Sequence, residues 1–264
     1  MSDESDRSLA DRLSLPEYPR LPEYPRTAGY DPEWVIANMM GPNPLWLLEA
    51  LTRDLELSPG MRVLDLGPGR GLTSVFLAKE FGVQVWAAEL WVEPTEIFRL
   101  AAEAGAGDSV FPIKAEAHDL PFPHGFFDAV VSIDSYHYFG TSDLYLDYLA
   151  RFARPGTRIG IVAPGLTAEF DAGVPEELSG LWDPAYYSFH SPDWWRRHWE
   201  RSGRVDVEAA DLVPDGWRLW RLWNEVCPLP EDPAIRELVR NEHELIRTDQ
   251  GRHLGFTRVI GRFR

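Results

Sequence analysis

A chain of 264 residues, 44% of them hydrophobic, can bury one large α/β core or two small ones without disulfides or metal as staples. Its 26 basic and 42 acidic side chains leave a formal charge of −16, which opposes unspecific attraction to nucleic acid or anionic lipid. Cys227 is the only cysteine, so disulfides and thiolate metal clusters within the chain are excluded.

The first residues, Met1-Ser-Asp-Glu-Ser, are acidic and polar where a secretory signal has a positive start and an apolar core. No run approaches the roughly 18 apolar residues of a membrane span. The expectation is a cytoplasmic protein with no stable membrane insertion and no nucleic-acid partner; a homo-oligomeric state stays open.

Residues 1–31 read as a peripheral or flexible arm. Leu15-Pro-Glu-Tyr-Pro-Arg20 is repeated at once as Leu21-Pro-Glu-Tyr-Pro-Arg26, and prolines at that spacing deny the segment a continuous helix or central strand. Such an arm could pack through Tyr18 and Tyr24, or be a duplication without a role. Residues 32–264 form the main domain. Helices are expected near 32–39 and after Asn43-Pro44, where Pro44 can occupy the first turn without losing a hydrogen bond.

Short apolar runs then alternate with helical stretches. Strands are predicted at 62–66, 83–88, 109–114, 127–133 and 158–162, with helices over 71–80, 93–104 and 141–152 between them. That alternation is the pattern of parallel βα units. Beyond 162 the pattern loosens, and cap insertions are expected at about 164–190 and 214–251. A helix is read over 191–201, beginning with a Ser-Pro cap, and strands near 205–210 and 253–263.

The loop Asp65-Leu66-Gly67-Pro68-Gly69-Arg70-Gly71 joins the first strand to its helix. Glycines at Gly67, Gly69 and Gly71 permit a tight turn, close approach of a ligand and passage into the helix, whose free N–H groups can meet a polar ligand group. Glu89, at the end of the second strand, can accept hydrogen bonds from two ribose hydroxyls. A nicotinamide-dependent oxidoreductase has a comparable loop and acid, but the glycine spacing is not G-x-G-x-x-G; no Walker lysine follows either.

With Val63-Leu-Asp-Leu-Gly-Pro-Gly-Arg-Gly71, Glu89, Ala115-Glu-Ala-His-Asp-Leu-Pro-Phe122 and Phe127-Asp-Ala-Val-Val131 in this order, the chain resembles the class I S-adenosylmethionine-dependent methyltransferases over about 43–163. The resemblance implies an α/β, Rossmann-like, seven-stranded and mostly parallel sheet with an antiparallel terminal strand and a helical cap. It also implies S-adenosyl-L-methionine as cofactor. Asp65 and the glycine loop would surround its methionine and ribose portions, Glu89 would hold the ribose, and Leu90 would pack on the adenine. Glu116 would reach the adenine amino group and Ala117 would offer its N–H to the ring; Asp is the commoner residue where this chain has Glu116. Asp134, or Ser135, would meet the methionine amino end.

On the acceptor side, His137 is the leading acid–base or orienting candidate, since imidazole titrates near neutral pH. Tyr136 is expected to shape the transfer cavity, and Tyr138 lies beside it. Trp182, Tyr186, Tyr187 and His190 could confine an aromatic or apolar small-molecule acceptor beneath a lid, or simply pack together. No compact trio of metal ligands is visible, so no metal is expected. The reaction implied is methyl transfer to N, O or C of a small organic acceptor. A noncatalytic cofactor-binding regulator is the alternative.

Overall fold

The computed structural model describes residues 21–264. The first copy of the proline-rich repeat, with Tyr18, lies outside them. The second copy packs on the body of the protein: Tyr24 is buried, its ring centroid 6.5 Å from that of Trp46. The buried Glu49 accepts hydrogen bonds from Arg26 N (3.0 Å), Thr27 N (2.8 Å) and Thr27 Oγ1 (2.6 Å). A buried carboxylate satisfied by three donors fixes the chain there, because losing them would strand a charge.

Two short helices follow, α1 (Pro32–Asn38) and α2 (Pro44–Thr52). Each has proline in its first turn and an N-cap side chain, Asp31 or Asn43, that accepts from a backbone N–H two residues on. The sheet then begins with β1 (Arg62–Leu66), α3 (Leu72–Phe81), β2 (Gln84–Glu89), α4 (Pro94–Glu103), β3 (Val110–Lys114) and β4 (Phe127–Ile133). The helix expected over 141–152 is shorter, with α5 spanning only Tyr145–Leu149 before a 3₁₀ turn over Ala150–Phe152.

Strand β5 covers Ala153–Leu166, well beyond the five residues expected, so the first cap insertion starts later than 164. Pro164 is tolerated because β4 stops pairing at Val162, after which β5 has only β7 beside it. Next come α6 (Glu176–Ser179), α7 (Pro192–Ser202), β6 (Val205–Leu212), α8 (Gly216–Val226), α9 (Pro233–Asp249) and β7 (Leu254–Phe263). The spatial order is β3-β2-β1-β4-β5-β7-β6, with β7 antiparallel to both neighbours and the other central pairs parallel. The seven-stranded sheet with an antiparallel last strand is therefore the expected one.

Apolar layers cover both faces. Helices α2 and α3 contribute Leu45, Leu48, Val75 and Phe76 to one; Trp195 and Trp199 of α7 are fully buried in the other. The parallel order reverses between β1 and β4, so their carboxyl ends open a crevice, the usual ligand position in a doubly wound sheet.

Candidate functional site: a glycine-and-acid cradle under a helical cap

A cavity of about 330 Å³ lies over the carboxyl ends of β1, β2 and β4. Its floor is the glycine loop. Gly67, Gly69 and Gly71 have φ of +74°, +57° and +97°, conformations that L side chains rarely adopt. There is no room for one either. A Cβ on Gly67 would lie 2.3 Å from Ser135 Oγ, and one on Gly69 would lie 2.9 Å from Met40 Sδ.

Asp65 ends β1 inside the protein. Its Oδ2 accepts from Thr73 Oγ1 and Ser74 Oγ, both at 2.7 Å, in the first turn of α3. Oδ1 has no partner, and burial pushes the carboxyl from 3.8 up to about 6 against those two hydrogen bonds. Asp65 therefore braces the loop from behind; Gly67, Gly69 and Glu89 are the loop-side residues that line the cavity, while Asp65 and Gly71 do not.

Glu89, buried at the end of β2, joins the two loops above the sheet. Oε2 accepts from Gly69 N at 2.9 Å, and Oε1 from Trp91 N at 2.7 Å, with Val92 N farther away at 3.4 Å. Leu90 and Trp91 present apolar surface to the cavity and to solvent, Trp91 being 71% exposed. On the next strand end, Glu116, Ala117 and His118 complete that wall. Glu116 is exposed and bends back to accept from His118 N (2.9 Å), with His118 Nδ1 also at 2.9 Å; that hydrogen bonding holds its carboxyl below the usual range.

The end of β4 closes the other side. Ser132 Oγ and Ser135 Oγ donate to Leu66 O at 2.7 and 2.8 Å and lie 2.8 Å apart, locking β4 to the glycine loop. Ser135 thus spends its hydroxyl on the scaffold. Asp134 has φ of +55°, rare for a residue with a side chain, and lines the cavity beside Tyr138. No described residue donates a hydrogen bond to its carboxylate; burial, then the charge of Glu242, raise its pKa well above the usual value.

Placement differs from expectation for several acceptor-side residues. Tyr136 does not line the cavity: its ring is fully buried between Phe139, Tyr145, Trp195 and Trp199, at centroid distances of 5.5 to 5.9 Å. Burial raises its hydroxyl far above the ordinary range. His137 is also buried and off the cavity lining, between Tyr138 (3.9 Å) and Phe189 (5.6 Å), and burial pushes it down to about 3. A ring kept neutral at every physiological pH is not the near-neutral titrating group expected from the sequence.

Of the aromatic candidates, Tyr138 alone is at the cavity, 59% exposed. Trp182, Tyr186 and Phe189 pack in a row, Trp182 to Tyr186 at 5.6 Å and Tyr186 to Phe189 at 5.0 Å. Tyr187 is 69% exposed and outside the lining. His190 stacks on Trp194 at 3.6 Å and bonds Glu169 at 3.2 Å; burial lowers its pKa although Glu169 opposes this. Among the described residues no group of three or more His, Cys, Asp or Glu is arranged to hold a metal ion, and no helix is long and apolar enough to cross a membrane.

Sequence reasoning missed Met40 and Gly41, which line the cavity from the segment between α1 and α2. A Cβ on Gly41 would fall 2.3 Å from Asp134 Oδ2, and Gly41 O accepts from Trp223 Nε1 of α8 at 2.9 Å. Met40 reaches Gly69 and Gly41 reaches Asp134 and Trp223, contacts between residues distant along the chain that no local pattern announces.

The strand order is that of the Rossmann-like sheet which the resemblance to class I S-adenosylmethionine-dependent methyltransferases implies. Residues 63–156 match the Methyltransferase domain family, and the chain is similar to S-adenosylmethionine-dependent methyltransferases. It is 34% identical over 151 residues to a probable chloroplastic tocopherol O-methyltransferase of Oryza sativa subsp. japonica, covering 55% of this chain and 41% of that protein. It is 26% identical over 200 residues to a glycine/sarcosine/dimethylglycine N-methyltransferase of Actinopolyspora halophila, covering 75% and 33%. The chain thus spans less than half the length of these curated relatives. The fold is shared with phosphoethanolamine N-methyltransferase 2 of Haemonchus contortus at a TM-score of 0.67, with 19% identity, over 97% of this chain and 60% of that one.

Proposed function

We propose that the protein transfers a methyl group from S-adenosylmethionine to nitrogen, oxygen or carbon of a small organic acceptor and releases S-adenosylhomocysteine. The observation that carries the reading is Glu89, held at the cavity floor by Gly69 N and Trp91 N. A carboxylate has about four lone-pair positions, so one remains for a ribose hydroxyl, and the 3.4 Å contact with Val92 N is weak enough to yield a second. Met40 and the glycine loop would enclose the middle of the ligand. Leu90 and Trp91 would flank the adenine, with Glu116 and Ala117 at its polar edge. Asp134, with no donor of its own, suits the ammonium of the methionine end.

When bound, the sulfonium supplies an activated methyl and its leaving group. The protein then has to align the acceptor and exclude water, and such positioning can supply much of the rate. Asp65 is out of reach of that chemistry and acts through the loop; Tyr136 and His137 act through the wall they build. The acidic surface supports a small-molecule acceptor over nucleic acid, and the proposal includes a cytoplasmic location. A nicotinamide-dependent oxidoreductase is disfavoured by the antiparallel β7 between β5 and β6.

Incubation with methyl-labelled S-adenosylmethionine and a metabolite extract, followed by mass identification of labelled products, tests the proposal. A labelled acceptor formed by the wild-type chain and not by Gly69→Val is the expected outcome. Absence of transfer across extracts, with the donor bound, would leave the regulatory alternative in its place.

A further inference from the structure

Glu116, Ala117 and His118 follow β3 and line the cavity on its adenine side. Glutamate is one methylene longer than the aspartate commoner at that position, and a half-exposed side chain of that length has several rotamers open to it in water. In this chain it does not extend. Glu116 folds back on its own turn, Oε2 accepting from His118 N at 2.9 Å and Oε1 lying 2.9 Å from His118 Nδ1. An ionised carboxylate only accepts, so the imidazole carries a proton on Nδ1 and one residue holds both oxygens by charge-assisted bonds.

His118 is itself anchored. Its ring meets that of Tyr145 edge-on, at a centroid distance of 5.0 Å, and Tyr145 Oη donates to Ala117 O at 3.3 Å. Tyr145, in α5, is 1% exposed. The turn over residues 116–118 thus rests on a ring fixed in the core, and the carboxylate inherits that fixed position through His118. Of its about four lone-pair positions, His118 takes two and Ala117 N is a lesser third partner. One acceptor position is left at the cavity edge.

We propose that His118 is a positioning residue for the base of the methyl donor: by holding Glu116 folded back, it sets a carboxylate acceptor against the 6-amino group of adenine and creates a preference for adenine over a 6-oxopurine. This rests on the methyl-transfer reading and adds to it the contact that lets a glutamate serve where an aspartate is commoner. A 6-amino group donates to the carboxylate; a 6-oxo group turns a second acceptor toward it and is repelled. Released from His118, Glu116 can swing into water, so the bond to adenine and the repulsion of the 6-oxo group weaken together.

Titration calorimetry on the full chain with S-adenosylhomocysteine and S-inosylhomocysteine, which differ only in the purine, tests this. The wild-type chain should bind the adenine compound at least about tenfold more tightly. His118→Ala should cut that preference to about threefold or less without weakening the binding of S-inosylhomocysteine. His118→Asn, whose Nδ2 can stand in for Nδ1, should lose less. Glu116→Asp added to His118→Ala should restore most of the preference, since the shorter side chain needs no folding back. Equal or tighter binding of S-inosylhomocysteine by the wild-type chain, a comparison that needs no variant, overturns the inference. So does a folded His118→Ala that keeps the full preference or loses affinity for both compounds alike, the mark of a merely structural role. Failure of the wild-type chain to bind S-adenosylhomocysteine overturns the methyl-transfer reading and this inference with it.

Discussion

The two sides of the cavity are built in different ways. On the β1–β2 side, recognition is by backbone: three glycines at positive φ, two N–H groups held by Glu89, and a buried Asp65 bracing the loop from below. On the β4 and cap side it is by side chains such as Met40, Asp134, Tyr138 and Phe139, with the neighbouring Gly41 held by Trp223 of α8. The first construction tolerates almost no change but is indifferent to the acceptor. The second can be altered residue by residue, which is how one fold comes to serve many acceptors.

The gravest damage is expected from the loop. Gly67→Val needs a positive φ that valine resists and a Cβ 2.3 Å from Ser135 Oγ, so S-adenosylhomocysteine affinity should fall by roughly 100-fold or more in titration calorimetry. Glu89→Ala removes the acceptor of Gly69 N and Trp91 N as well as the ribose contact. Charged hydrogen bonds contribute about 1.5–3 kcal/mol each, so a loss of roughly 10- to 100-fold in the same assay is expected, with far-ultraviolet circular dichroism unchanged.

The buried groups that do not line the cavity should appear in stability rather than binding, and with opposite signs. Asp65, raised from 3.8 to about 6, keeps its proton in the folded state after the unfolded chain has released it, so its contribution is lost as pH rises through that window. His137, lowered from 6.5 to about 3, stays neutral in the fold while the unfolded chain is protonated, so its contribution is lost as pH falls below 6.5. Each changes the slope by about 1.4 kcal/mol per pH unit. In urea unfolding between about pH 4 and 6, Asp65→Asn should make stability rise more with pH and His137→Asn should make it rise less; slopes moving together would contradict the assignment. Last, Tyr187→Ala alters an exposed ring outside the cavity and should leave kcat/KM for methyl transfer within about twofold.

Much of the β1–β2 side was legible in the sequence because its determinants are local. Glycines two apart after an apolar strand, and an acid at the end of the next, are recognisable without knowing what packs on them. The cap side was not. Tyr136 and His137 have polar groups and follow β4, which favoured chemistry, but a 3₁₀ turn over Tyr136–Tyr138 sends both rings into the core and only Tyr138 to the cavity. Ser132 and Ser135 gave no sign that both hydroxyls would be spent on Leu66 O. The early end assigned to β5 has a similar origin, since Pro164 reads as a strand breaker until β4 is seen to stop short of it.

The roles of both sides of the cavity depend on which adenosine-containing ligand the glycine loop and Glu89 hold. Titration of the wild-type chain with S-adenosylhomocysteine and, separately, with oxidised and reduced nicotinamide dinucleotides addresses that at once. The expected result is saturable binding of S-adenosylhomocysteine that is lost in Gly67→Val, with no measurable heat from either dinucleotide. Tight binding of a dinucleotide, with S-adenosylhomocysteine unable to displace it, would contradict the account.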